Sequence, residues 1–165
     1  GINPLPLYIN SVERLSTMDV LRLLAYRGEG SSMDSNANSG IYAIGNERQG
    51  ECHIFETRQD MPDELSVIQW QAMADAEFSI YVPYYSALVT ETNELYHTEA
   101  LPGNYTDGSD TEDQINLNFH LINDLCYKNR ANCADAVKSY FKTYQESFNR
   151  PTENNSSCNV THLCT

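Results

Sequence analysis

Cys52 and His53 are neighbours in this sequence, and a histidine beside a cysteine can activate a thiolate for nucleophilic attack. They lie within residues 51–57 (ECHIFET), whose period-two pattern of apolar and aromatic side chains is typical of a β-strand. Neighbouring side chains of a strand point to opposite faces, so these two groups cannot hydrogen-bond each other. We therefore interpret Cys52 as a small buried residue and His53 as a surface or packed histidine.

Arg48 is the first candidate for a binding residue. It lies in the turn GNERQG at the entrance to this strand, where a guanidinium could fork to a carboxylate of a substrate or of a buried acid. The alternative is a surface arginine that pairs with Glu47 or Glu51. The sequence favours neither interpretation.

Tyr84 and Tyr85 follow Pro83 and are the second candidates for substrate binding. Their hydroxyl groups could line a cleft, or the two residues could simply end a strand. Ser86 has no base next to it in sequence, so a serine nucleophile lacks support.

Cofactor motifs are missing from the sequence. The four histidines have no partner four residues away, and HExxH, CxxC, GxGxxG and P-loop patterns are absent. We therefore expect neither a metal nor a nucleotide cofactor.

Period-two patterning predicts the strands that must position these residues. Short strands are expected at residues 41–44, 51–57, 65–70 and 78–82, bounded by Gly and Pro. Four short strands so close in sequence favour an antiparallel meander.

Apolar spacing predicts three helices. The first is capped by Ser16 or Thr17 and ends near residue 27, before a Gly/Ser/Asn-rich loop over residues 28–40. The other two, at residues 113–127 and 134–148, flank a short polar break and are expected to be antiparallel neighbours that cover one face of the sheet. The stripe on the last helix is expected to be core: Val137, Tyr140, Phe141, Tyr144 and Phe148.

Several of these segments together resemble the dipeptidase A family of N-terminal nucleophile hydrolases. The resemblance is carried by Arg48, by His53, by the helix that ends in RGEG, and by the stretches ETRQDMPDELSVIQW and SIYVPYYSALVT. It implies an α+β fold with antiparallel sheets packed against helices, as part of a four-layer αββα sandwich. It also implies that Arg48 lies near the catalytic nucleophile.

The family's nucleophile is a cysteine at the first position of the mature chain, whereas this sequence begins with Gly1 and has no cysteine before Cys52. We therefore expect residues 1–150 to be the C-terminal portion of a dipeptidase-like amidohydrolase that cleaves peptide bonds with a nucleophile outside this chain. Its expected partners are a nucleophile-bearing N-terminal chain or a second copy, and a peptide substrate. The alternative is a non-catalytic, secreted, acidic interaction or structural module that keeps the fold.

The length of 165 residues is sufficient for one domain with its own core. The formal net charge of −13 argues against nucleic acid and against an anionic membrane surface as partners. No apolar run approaches the roughly 18 residues of a membrane span.

Five cysteines and a biased tail indicate an oxidising environment. We expect two local disulfides, Cys126–Cys133 and Cys158–Cys164, with Cys52 free, so that residues 151–165 form a Ser/Asn-rich, disulfide-pinned tail. The sequence also has N-glycosylation sequons at Asn104, Asn154, Asn155 and Asn159. Together these features favour an extracellular or a secretory, lysosome-like compartment.

Overall fold

The computed structural model describes residues 10–91 and 115–148. The elements in chain order are α1 (Thr17–Leu24), β1 (Cys52–Thr57), a 3₁₀ turn (Asp63–Leu65), β2 (Val67–Ala72), β3 (Tyr81–Tyr85), α2 (Ile115–Lys128) and α3 (Arg130–Phe148). The three strands form an antiparallel sheet in the order β1-β2-β3. The predicted α+β class with an antiparallel sheet is therefore confirmed.

The prediction of a strand at residues 41–44 is wrong. The side-chain amide of Asn46 donates to the carbonyls of Ala43 and Ile44, at 3.1 and 3.2 Å, and the N–H of Gly45 donates to the carbonyl of Tyr26. These backbone groups are occupied by loop contacts, so the segment bends instead of joining the sheet.

The strand predicted to begin at residue 78 begins at Tyr81. A carboxylate oxygen of Asp75 accepts hydrogen bonds from the backbone N–H groups of Glu77 and Phe78, at 2.9 and 3.2 Å. These two N–H groups are then not available for hydrogen bonds to a neighbouring strand, so β3 begins later than predicted.

The inner face of the sheet carries the main core. Ile68, Trp70 and Tyr81 are buried there and contact Leu21 of α1. The indole N–H of Trp70 donates to Glu56 at 2.8 Å, so the largest buried side chain is also hydrogen-bonded. The core thus holds α1 against the sheet.

Helix α1 begins where the sequence predicts. Ser16 is its N-cap, and a capping box joins it to Asp19, since each side chain accepts from the other residue's backbone N–H.

Helices α2 and α3 are separated by Asn129 alone and form a hairpin, with Phe119 and Phe141 in contact at 5.7 Å between ring centroids. Helix α3 begins four residues earlier than predicted. The side-chain amide of Gln145 pairs with both backbone groups of Tyr81, at 2.6 and 3.1 Å, and so attaches α3 to the edge strand β3.

Two of the aromatic residues expected in the core of α3 are exposed. Tyr140 and Tyr144 are 60% and 48% exposed, and their hydroxyl groups hydrogen-bond each other at 3.3 Å. The stripe is wider than the surface that α2 and the sheet can cover, so its outer edge faces solvent.

The predicted Cys126–Cys133 disulfide is not formed, because both residues are free cysteines. The Cys133 thiol donates to the carbonyl of Asn129 at 3.1 Å, since residues 129–133 follow a helical path and the thiol lies over the preceding turn. Cys52 is free, as predicted. Other predicted positions lie outside the described residues: Cys158, Cys164, Asn104, Asn154, Asn155 and Asn159.

Candidate functional site

A cleft of about 470 Å³ lies between the loop that precedes β1 and the junction of α2 with α3. The loop side contains Arg48, and the helix side contains Tyr127, Lys128 and Arg130. Four of the ten Lys and Arg residues of the chain line this cleft, although the chain as a whole is strongly acidic. Two acidic residues, Glu47 and Asp124, line it as well, so the lining side chains keep a net positive formal charge in an acidic chain.

The loop wall of the cleft is folded back on the end of α1. The guanidinium of Arg27 donates to Asn36 Oδ1 at 2.7 Å and to the carbonyl of Gly45 at 2.6 Å. Gly28 turns the chain at a φ of 81°, where an added Cβ would collide with the carbonyl of Met33. Arg27 is buried, so it fixes the loop from within.

Arg48 lies on this wall with an exposed side chain. Its backbone N–H donates to Asn46 Oδ1 at 2.9 Å, and its guanidinium lies 5.5 Å from the centroid of the Tyr42 ring. The alternative of a surface ion pair is not realised, because no carboxylate in residues 10–91 or 115–148 forms a salt bridge with Arg48. Glu51 instead contacts His53 and Gln71.

A buried carboxylate lies behind the helix wall. The Glu77 side chain is fully buried and receives two hydrogen bonds from Arg130, at 2.6 and 2.9 Å. Lys138 and Arg27 approach it at 3.0 and 3.6 Å. Burial opposes ionisation of Glu77, but the hydrogen bonds and charges of Arg130 and Lys138 outweigh burial, and the pKa of Glu77 lies below its usual value.

Asp75 lies beside this network, and its pKa is shifted in the opposite direction to that of Glu77. Burial raises the pKa of Asp75 to about 6, against the hydrogen bonds from Phe78 and Glu77, and the negative charge of Glu77 adds to the increase. The hydroxyl of Tyr127 lies 3.4 Å from Asp75, and the Tyr127 ring lies 5.2 Å from the Arg27 guanidinium. Asp75 and Glu77 therefore contact lining residues of the cleft from behind: Arg27, Tyr127 and Arg130.

Sequence reasoning missed Asp75 and Glu77. They belong to the segment ADAEF, which contains two acids between apolar residues. An acid within an apolar stretch is a signal of a buried, paired carboxylate, but nothing local identifies Arg130, which lies 53 residues away, as the partner.

The predicted tyrosines do not line the cleft. Tyr85 packs against the core on the inner face of the sheet, whereas Tyr84 lies opposite Gln69 and faces the other side. The structure therefore separates Tyr84 and Tyr85 from Arg48.

Cys52 is half-buried against the core, and His53 is exposed with Nδ1 3.6 Å from Glu51. The two side chains point to opposite faces, as predicted. None of the cysteines in the described ranges lines the cleft.

Within residues 10–91 and 115–148, no group of three or more His, Cys, Asp or Glu side chains is arranged to hold a metal ion. None of the helices in this part of the chain has the length and apolar character needed to cross a membrane.

Comparison with known proteins identifies the family. The profile of peptidase family C69 matches residues 2–143. The chain belongs to peptidase family C69. The resemblance to dipeptidases seen in the sequence is thereby confirmed at the level of the family, which supports a peptidase function.

Curated relatives of this C69 chain are named as dipeptidases. "Probable dipeptidase B" of Lactococcus lactis is 26% identical over 120 residues, 68% of this chain and 23% of the relative. "Probable dipeptidase B" of Streptococcus pyogenes is 30% identical over 47% of this chain and 16% of the relative. "Dipeptidase A" of Lactobacillus helveticus is 38% identical over 33% of this chain and 11% of the relative.

The matched part of this chain thus spans less than a quarter of the length of each of these relatives. No solved structure matches the chain as significantly as these sequence relatives do.

Proposed function

We propose that this chain forms the carboxylate-binding side of the substrate pocket of a dipeptidase-like amidohydrolase. The observation that supports this most directly is the exposed Arg48 guanidinium, which lines the cleft without an acidic partner in the described part of the chain. A guanidinium presents two parallel N–H groups to a carboxylate, so Arg48 suits the C-terminal carboxylate of a short peptide. The cleft volume of about 470 Å³ is within the usual range for small-ligand sites.

The nucleophile of this proposal is an N-terminal cysteine outside the 165 residues. Its thiolate attacks the peptide carbonyl, and the free α-amino group serves as the base because its pKa lies near neutrality. Backbone N–H groups then stabilise the oxyanion. Its collapse breaks the C–N bond, the leaving amine takes the proton that the α-amino group had accepted, and water then hydrolyses the thioester. Cys52 is not a substitute, because it packs against the core instead of lining the cleft.

The proposed partner that supplies this cysteine is a nucleophile-bearing chain or a second copy. The outer face of the sheet offers a surface for either one, since Phe55 and Val67 are 62% and 37% exposed there.

Native material tests this proposal. Intact-mass analysis and peptide mapping would show whether a chain that begins with cysteine accompanies this one, and the same preparation would be assayed for release of alanine from alanyl-alanine. We expect both the cysteine-initiated chain and turnover. Material without such a chain and without turnover would instead favour a non-catalytic module that keeps the fold.

We also propose an extracellular or secretory, lysosome-like location, supported by the sequons at residues 104, 154, 155 and 159. Treatment of the native protein with an N-glycosidase should lower its apparent mass. An unchanged mass would contradict glycosylation at these sites.

A further inference from the structure

Two cationic groups of the cleft remain available to a ligand: the guanidinium of Arg48 and the ammonium group of Lys128. Arg27 and Arg130 line the cleft but contact the buried carboxylate of Glu77, so their charge is largely offset from within the protein. The Arg48 guanidinium lies over the face of the Tyr42 ring, and no carboxylate among the described residues forms a salt bridge with it.

Lys128 is the other available cation. It is the last residue of α2 and lines the same cleft as Arg48. Its side chain is 68% exposed, and its ammonium group lies 3.2 Å from Asp124, which is itself 57% exposed. An ion pair this exposed contributes little and is easily exchanged, so a ligand carboxylate can take the place of Asp124.

We infer that the cleft selects peptides with an acidic C-terminal residue, and that Lys128 recognises the second carboxylate. Arg48 binds the α-carboxylate through its planar fork, and Lys128 binds the side-chain carboxylate as a point charge. The identity of the ligand as a peptide rests on the proposed function, whereas its double negative charge follows from the two available cations.

The surroundings of the cleft sharpen this selection. Glu47 and Asp124 also line it, and they repel a ligand carboxylate that does not contact Arg48 or Lys128 directly. The rest of the chain carries excess negative charge and repels anions. An acidic peptide is therefore attracted by this cleft and not by the protein surface in general.

Two peptides of nearly the same shape test the inference with the purified chain. Alanyl-glutamate and alanyl-glutamine differ by one negative charge, and their dissociation constants would be measured by calorimetry at pH 7.5 and low salt. We expect alanyl-glutamate to bind at least about tenfold more tightly. The preference should shrink as salt is added, because the side-chain contact is exposed.

Lys128→Gln should abolish the preference by weakening the binding of alanyl-glutamate, whereas Arg48→Gln should weaken the binding of both peptides. Lys142→Gln is the matched control. Lys142 is 66% exposed and pairs with Glu146 four residues away on α3, as Lys128 pairs with Asp124 on α2, but it does not line the cleft. All three side chains are exposed, so thermal melting should show intact folds.

Equal affinity for the two peptides would overturn the inference, and so would loss of the preference in Lys142→Gln or no binding of either peptide. The assay measures binding and needs no nucleophile. If the preference is present but native material shows no turnover, the proposed function fails and the inference stands. Turnover of neutral and acidic dipeptides without any preference would support the proposed function and contradict the inference.

Discussion

Glu77 and Arg130 form a two-pronged ion pair between the loop before β3 and the first residue of α3. The two oxygen–nitrogen distances are 2.6 and 2.9 Å, and the Glu77 side chain is fully buried whereas that of Arg130 is 23% exposed. Arg130 also lies 5.3 Å from the centroid of the Phe78 ring. The pair therefore joins the sheet layer to the helical hairpin and supports one wall of the cleft.

Glu77→Gln should be strongly destabilising. The substitution keeps the shape of the side chain but leaves Arg130, Lys138 and Arg27 without the carboxylate that offsets their charge. Breaking a buried pair by removing one partner costs about 3–5 kcal/mol. Denaturant unfolding at pH 7 would measure this loss in the free energy of unfolding.

Glu146→Gln is the control for this measurement. Glu146 also contacts a lysine, Lys142 at 3.8 Å, but both side chains are more than half exposed. Its loss should cost about 0–1 kcal/mol. Equal costs for the two substitutions would show that the Glu77 network does not connect the layers.

Asp75 makes a separate contribution that depends on pH. Its pKa is raised from 3.8 to about 6 in the folded protein, so the folded state binds the proton more tightly than the unfolded state does. The contribution of Asp75 to stability is therefore fully present below about pH 4 and is lost as pH rises to about 6. The size of this loss is about 3 kcal/mol.

Asp75→Asn removes this dependence while an amide oxygen still accepts from Glu77 and Phe78. The stability of the variant relative to the unchanged protein should rise between pH 4 and pH 6 and then stay constant. Comparing the two proteins isolates Asp75, because Glu77, whose pKa is lowered, titrates in both. A flat difference for Asp75→Asn would contradict the assigned pKa.

Features of the fold that depend on contacts between residues close in sequence could be predicted from the sequence. Strand β1 could be predicted because its pattern and its pairing with β2 agree, and α1 could be predicted because its cap at Ser16 is a contact across three residues. Arg48 lines the candidate cleft, whereas its place near the nucleophile, which the resemblance implied, stays a prediction. These signals are local or carried by a whole family.

The failures involve partners that are distant in sequence or side chains that replace backbone contacts. The side chain of Gln145, 64 residues away, bonds the backbone of Tyr81 in place of a neighbouring strand. No pattern near either residue predicts that pair. The turn made by Asp75 shortened β3 through a side chain. Tyr84 and Tyr85 end β3 on opposite faces, because adjacent strand residues alternate between faces, and neither lines the cleft.

The free thiols allow a direct test of the corrected cysteine assignment. Alkylation without prior reduction should modify Cys133 readily and Cys126 slowly, because burial and the nearby Cys133 raise the pKa of the Cys126 thiol to about 11. Peptide mapping of alkylated native material would measure both. Recovery of a bridged peptide that contains both cysteines would contradict the free thiols of the structure.

Arg48→Lys tests the binding residue in the assembled enzyme, with the nucleophile-bearing partner present. Lysine keeps the charge but loses the planar fork, so a two-pronged carboxylate contact should weaken by about 1.5–3 kcal/mol. The expected result is a fall of about ten- to a hundredfold in kcat/KM for a dipeptide. Thermal stability should change little, because the Arg48 side chain is exposed and bonds no carboxylate in the described part of the chain.

Arg22→Lys is the matched control, since Arg22 is an exposed arginine on α1 that contacts Asp19 and does not line the cleft. Unchanged kinetics for Arg48→Lys, or a stability loss that precedes any kinetic effect, would remove Arg48 from the site.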